Sequence, residues 1–137
     1  MSVKNPIIIV DDDQDDQFLL AKVCEKIGVT HEILFFDDGR DALKYLRSTT
    51  ERPFLIMSDV NMPLMNGFEL RREIHNDVTL REKSIPFVFF STAASPAQVR
   101  EAYHLTVQGF FLKETSMEKI EQSLRMIFDY WTKCKRP

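Results

Sequence analysis

Four short apolar runs in this chain each stop at residues that could do chemistry. Phe54-Leu55-Ile56-Met57-Ser58 ends at Asp59, and a turn from Val60 to Gly67 follows at once. Ile7 to Val10 leads into Asp11, Asp12 and Asp13; Pro86 to Phe90 leads into Ser91 and Thr92; Gly109 to Leu112 leads into Lys113. Three carboxylates brought to one place repel each other, and a bound cation is the usual relief. An all-oxygen donor set suits hard Mg²⁺, for which Mn²⁺ could substitute. The ion would take one oxygen each from Asp12 and Asp59 and the backbone carbonyl of Asn61, with Asp11 acting through a metal-bound water. Asp59 could also be a nucleophile that accepts a phosphoryl group as an acyl phosphate. Such transfer needs cations and hydrogen-bond donors around the equatorial oxygens. Lys113 offers the charge, Ser91 a hydroxyl, and Thr92 a second donor. Each residue alone has a plainer reading as a helix cap, a solvated turn or a surface lysine. The complementary set at four strand ends favours the chemical one.

The elements that position these groups follow from periodicity and punctuation. Continuous apolar runs bounded by turn signals suit strands buried on both faces, as in a parallel sheet. Ile7 to Val10, Glu32 to Phe36, Phe54 to Ser58, Pro86 to Phe90 and Gly109 to Leu112 are the five expected strands, the second at a sheet edge. Helical spacing predicts a first helix to about Ile27, burying Leu20, Val23, Cys24 and Ile27, capped by Asp15 or Asp16 and ended by Gly28. Further helices are expected over Arg40 to Arg47, Phe68 to His75 and Ala97 to Leu105. The last carries Ile120, Leu124, Ile127 and Trp131, with Ser116 as a cap but no capping box. Ser95 and Pro96 suit the start of the fourth helix. The polar stretch Asn76 to Ser84 is expected as a solvated loop. The reading is an α/β fold, a doubly wound five-stranded parallel sheet with five helices. Right-handed crossovers bring every carboxyl strand end to one edge, where such sheets place their chemistry.

Bulk composition narrows the function classes. At 137 residues the chain has room for one domain with a real core. A formal charge of -3 argues against nonspecific nucleic-acid binding, which needs concentrated Lys and Arg. Cys24 and Cys134 are far apart, and His31, His75 and His104 lack ligand spacing, so no thiol or imidazole metal site is expected. Without a signal peptide or apolar span, a cytoplasmic protein with no membrane association is expected.

The ordered set formed by Asp11-Asp12, Asp59 within Ser-Asp-Val-Asn-Met-Pro-Leu-Met-Asn-Gly, Ser91, Phe110 and Lys113 resembles the receiver domain of two-component response regulators. The resemblance runs from about Ile7 to Trp131, with residues 1–137 as one receiver domain and a core over about 6–131. Asp15-Asp16, the long connection before Ile85-Pro86 and the Phe128-Asp129-Tyr130-Trp131 ending look most like stand-alone regulators paired with phytochrome-type or hybrid histidine kinases. The resemblance implies a flavodoxin-like strand order, 2-1-3-4-5. It also implies phosphoryl transfer to Asp59 from the phosphohistidine of a histidine kinase or histidine phosphotransfer protein. The domain would catalyse only that transfer and its own slow dephosphorylation, and would signal by contact with a downstream protein target. Ser91 and Phe110 would be the switch residues, and a homodimer could form through the fourth helix, fifth strand and fifth helix. Asn61, Thr92 and Ala93 occupy positions that could tune the lifetime of the phosphoryl group.

Two residues depart from the family pattern. Glu114 stands where proline usually follows the lysine, and a cis bond before a non-proline residue costs about 2.5–4 kcal/mol, so a trans bond is expected. Phe110 replaces the common tyrosine and has no hydroxyl to offer. Two other readings compete. A Mg²⁺-dependent small-molecule phosphatase would share the Asp and Lys logic but normally needs a second Asp where Asn61 stands. A phosphorylation-independent scaffold or adaptor would need only the surface.

Overall fold

The computed structural model describes residues 5–92 and 94–137; Ala93, one of the tuning positions, lies outside them. Its five strands are β1 (Ile7–Val10), β2 (Ile33–Phe36), β3 (Leu55–Ser58), β4 (Phe87–Ser91) and β5 (Gly109–Leu112). They form one parallel sheet in the order β2-β1-β3-β4-β5. Alternate side chains point to opposite faces, and both faces are covered. Ile8, Val10, Ile56, Phe87 and Phe89 face α2 (Gly39–Ser48), α3 (Gly67–Asn76) and α5 (Pro96–His104). Ile7, Ile9, Leu55, Met57, Val88 and Phe90 face α1 (Gln14–Lys26) and α6 (Met117–Lys133). Full burial of such side chains contributes about 1.5–3 kcal/mol each, which is why the central strands read as unbroken apolar runs. Strand β2 is only half-buried along its length, in keeping with its edge position.

The helices sit where their apolar stripes predict. Leu20, Val23 and Cys24 of α1 and Ile120, Leu124 and Ile127 of α6 are buried together on one face. Burial pushes the Cys24 thiol up to about 11, so it is a core side chain rather than a reactive one. Ser95 forms a capping box with Gln98 at the start of α5, with Pro96 in the first turn, and the Ser116 hydroxyl accepts from the Lys119 N–H at 3.1 Å. His31 lies at the amino end of the sheet, away from the acids, its ring stacked on Phe54 with centroids 4.1 Å apart.

Two expectations need correction. The described chain has six helices, not five, because the stretch read as a solvated loop contains α4 (Val78–Glu82). Asp77 caps this turn by accepting from the Leu80 N–H, and Leu80 is buried against the core. Five residues with a single buried apolar position are too short to show a helical period. The cap of α1 is Asp13, whose carboxylate accepts from the N–H groups of Asp15 and Asp16. That leaves Asp16 free for another task. No helix among the described residues is long and apolar enough to cross a membrane.

Candidate functional site

Backbone hydrogen bonds carry the parallel ladder one residue past the strands and so fix where the polar side chains begin. Asp59 N–H donates to Val10 O at 2.9 Å, Asp11 N–H to Phe36 O at 3.0 Å, and Lys113 N–H to Ser91 O at 2.8 Å. The carboxyl ends of β1, β3, β4 and β5 thereby deliver Asp11, Asp59, Ser91 and Lys113 to one crevice.

Lys113 is its centre of charge. Its Nζ lies 2.5 Å from Asp11 Oδ2, 3.0 Å from Asp16 Oδ2 and 3.7 Å from Asp59 Oδ2. Both Lys113 and Asp11 are buried, at 6% and 2% exposure. Burial opposes the ammonium, but the hydrogen bond and charge of Asp11, joined by Asp16 and Asp59, outweigh it and hold Lys113 above the usual lysine range. Lys113 is therefore a cation throughout the neutral range. Burial also pushes the Asp11 carboxyl up, against the pull of Lys113 and the Asp13 N–H.

Asp59 is held from the other side. Its Oδ1 accepts from Ser91 Oγ at 2.7 Å and from the Val60 N–H at 2.7 Å. Ser91 thus meets the Asp59 carboxylate directly. Asp11, Asp12 and Asp59 each offer a carboxylate oxygen, and the three lie within 4.8 Å of one another. This compact, hard-oxygen set, with Asp12 open to solvent, fits a divalent cation.

The other expected residues surround this cluster. Asn61 and Thr92 are exposed on the loops after β3 and β4. Phe110 is half-buried and packs on Phe89, ring centroids 5.6 Å apart, so a row of aromatic contacts runs from β5 to Phe68 on α3. No cis peptide occurs among the described residues, and the Lys113–Glu114 bond is trans, as the cost of the alternative required.

Sequence reasoning left the cap of α1 to Asp15 or Asp16 and gave Gly67 no role beyond a turn. The pairing of Asp16 with Lys113 spans 97 positions and has no local signal. Gly67 does have one, a glycine opening a helix eight residues after the acid. A Cβ there would lie 2.2 Å from the Asp59 carbonyl oxygen and 2.7 Å from the Phe89 ring, both far inside contact distance. Gly67→Ala should therefore push the Asp59 loop outward. We expect a loss of about 1–3 kcal/mol in stability from overpacking and a slowing of chemistry at Asp59 of up to roughly 100-fold from misplacement. Urea unfolding and a phosphodonor time course check this; wild-type values in both would mean the loop absorbs the methyl group.

A doubly wound sheet with a buried lysine, an acid cluster and a hydroxyl-bonded aspartate at its carboxyl edge defines a phosphoacceptor site. The chain belongs to the response regulator receiver domain family, which it matches over residues 7–125. It is 30% identical over 129 residues to the probable methanogenesis regulatory protein FilR2 of Methanothrix harundinacea, covering 91% of this chain and 82% of that protein. The response regulator Rcp1 of Synechocystis is 28% identical over 130 residues, covering 91% of this chain and 87% of that protein. The Mn²⁺-bound structure of Rcp1 superposes with a TM-score of 0.83, at 25% identity, over 97% of this chain and 98% of the other. The phosphorylated cyanobacterial phytochrome response regulator RcpA gives a TM-score of 0.86 at 29% identity, with 98% of each chain covered.

Proposed function

We propose that residues 6–131 act as a single cytoplasmic receiver domain whose Asp59 takes a phosphoryl group from the phosphohistidine of a histidine kinase or histidine phosphotransfer protein. The observation that carries this reading is the pair of environments around Asp59. One oxygen is fixed by Ser91 and Val60, and the other faces Lys113 beside two further acids. Lys113 and Ser91 would neutralise and orient the incoming oxygens, work that is mostly positioning and electrostatics. A Mg²⁺ held by Asp12, Asp59 and the Asn61 carbonyl, with Asp11 behind a water, would offset the remaining negative charge; the Mn²⁺-bound form of Rcp1 supports a divalent ion here. The chain's own catalysis would be limited to its phosphorylation and slow dephosphorylation, and its output would be contact with a protein target.

Switching would run through Ser91 and Phe110. The change on phosphorylation would be read at Phe110 and the face formed by α5, β5 and α6. Leu112 and Met126 are more than half exposed on that face, at 51% and 54%, which supports a second copy docking there. Incubation with acetyl phosphate and Mg²⁺ should add one phosphoryl group by intact mass, and hydroxylamine should remove it, as befits an acyl phosphate. EDTA should prevent the gain, and sedimentation of the same sample reads any dimer. An intact fold that takes up no phosphoryl group would instead favour the phosphorylation-independent scaffold.

The lifetime of the group would be set by what can hold a water near it. Asn61, exposed two residues beyond Asp59, has an amide suited to that, and Thr92 is the other nearby donor. Asn61→Ala should change the rate of radiolabel loss several-fold; an unchanged rate would remove Asn61 from the mechanism.

A further inference from the structure

A cavity of about 360 Å³ opens at the amino end of the sheet, the end opposite Asp59. Arg71 and His75 of α3, Arg81 of α4, Ser84 and Ile85 before β4, and Trp131 of α6 are among its lining residues. Among the described residues, two guanidinium groups line it and no Asp or Glu does. This is unusual in a chain whose formal net charge is -3. Among the described residues neither arginine has an ion-pair partner: Arg71 donates to Leu105 O at 3.0 Å and to Thr106 O and Oγ1 at 3.1 Å, and Arg81 donates to His75 O at 3.0 Å.

Arg71 is the odder of the two. It is 8% exposed, its hydrogen-bond partners are all neutral, and its guanidinium lies over the Phe87 ring, 5.5 Å from the centroid, which offsets part of the charge without supplying an anion. Burial draws its pKa down, the mark of a cation left without a counter-charge. A buried ion is tolerated at low cost only when an opposite charge and hydrogen bonds compensate it. The carbonyls at the end of α5 supply part of that through the negative end of the helix. They explain why Arg71 is held in place, but not why a second guanidinium and an acid-free cavity lie beside it. The rest of the wall mixes polar groups, Ser84, Thr106 and Gln108 among them, with apolar surface, where Trp131 offers a flat face and Ile85 an aliphatic one to an organic body.

We propose that this cavity binds a small phosphomonoester-class dianion carried on a flat apolar or aromatic body. Two guanidinium groups match two negative charges, and planar forks pair well with tetrahedral oxyanions. Trp131 supplies the surface for the body, as aromatic residues do in pockets of this kind. The site is separate from the phosphoacceptor crevice, so its ligand would act on α3, α4 and the turn before β5 rather than on Asp59.

Trp131 is the single tryptophan of the chain, so its fluorescence reports the cavity directly. The probe is phenylphosphonate, whose C–P bond cannot donate a phosphoryl group, titrated in EDTA so that no divalent ion assists at the carboxyl edge. A saturable change with a dissociation constant in the millimolar range or tighter is expected. It should weaken by at least about tenfold in Arg81→Gln, a surface change that leaves the buried contacts of Arg71 in place, and stay unchanged in Asp59→Asn. Inorganic phosphate should compete more weakly and benzyl alcohol should not compete at comparable concentration, since each supplies half of the ligand. No saturable change, equal affinity in Arg81→Gln, or loss of the change in Asp59→Asn would each overturn the assignment.

Discussion

Asp59→Asn is expected to lose the entire phosphoryl mass gain from acetyl phosphate while keeping the wild-type fold. The amide nitrogen and oxygen of asparagine are poor nucleophiles, and the substitution removes the negative charge that the neighbours are built to hold. In the wild type, Oδ1 of Asp59 is taken up by two hydrogen bonds, from Ser91 and Val60. That leaves Oδ2, 3.7 Å from Lys113, as the oxygen with lone pairs to spare. The size of the side chain is unchanged, and the half-buried site tolerates a neutral group, so circular dichroism and the thermal midpoint should stay close to wild type. Intact mass with a tandem spectrum of the relevant peptide decides the matter. A full gain in Asp59→Asn would move the nucleophile to Asp11, Asp12 or Asp13 and dissolve the assignment of roles at this edge.

Lys113→Met should cost about 3–5 kcal/mol of stability at neutral pH, the scale found when one partner of a buried ion pair is removed. Methionine keeps most of the length and apolar stem of the lysine but leaves the Asp11 carboxylate buried without its cation, with Asp16 and Asp59 adding repulsion. The pH dependence has a definite sign. Asp11 already has a folded value above its ordinary 3.8, and loss of the lysine raises it further, so the native state binds more protons than the unfolded chain across the interval between the two values. Stability then falls as pH rises through that interval. The deficit of the variant is complete above the raised value and shrinks as pH drops toward 3.8. In the wild type, the lysine, whose folded value is raised, contributes in full below its ordinary 10.5 and loses that contribution only as pH rises through the higher folded value. Urea denaturation of wild type and Lys113→Met at several pH values measures this. If the single variant fails to fold, Lys113→Met combined with Asp11→Asn should recover most of the loss; no recovery would mean that Lys113 stabilises the fold through packing instead of charge.

The sequence alone determined the strands, their burial and the chemistry at their ends, because each of those signals is local. An apolar run long enough for one strand, closed by a turn residue, leaves few alternatives, and handed crossovers then send Asp11, Asp59, Ser91 and Lys113 to one edge without further information. Capping chemistry is equally local, which is why Ser95 with Pro96 and Ser116 were readable in advance. The short helix α4 was not, since a single buried residue, Leu80, gives no period, and only the core it meets makes the turn worth forming. The same holds for the exchange of roles between Asp13 and Asp16. Five acids lie within six residues, all of them chemically able to cap α1, and the choice falls to the tertiary position of Lys113, 97 residues away from the acid it claims. The closeness of Gly67 to the Asp59 carbonyl, the inward hydroxyl of Ser91 and the gathering of Arg71 and Arg81 around one cavity at the far end of the sheet were likewise decided by the tertiary structure. Each depends on distances between segments, and distance across a fold is set by packing rather than by any pattern along the chain.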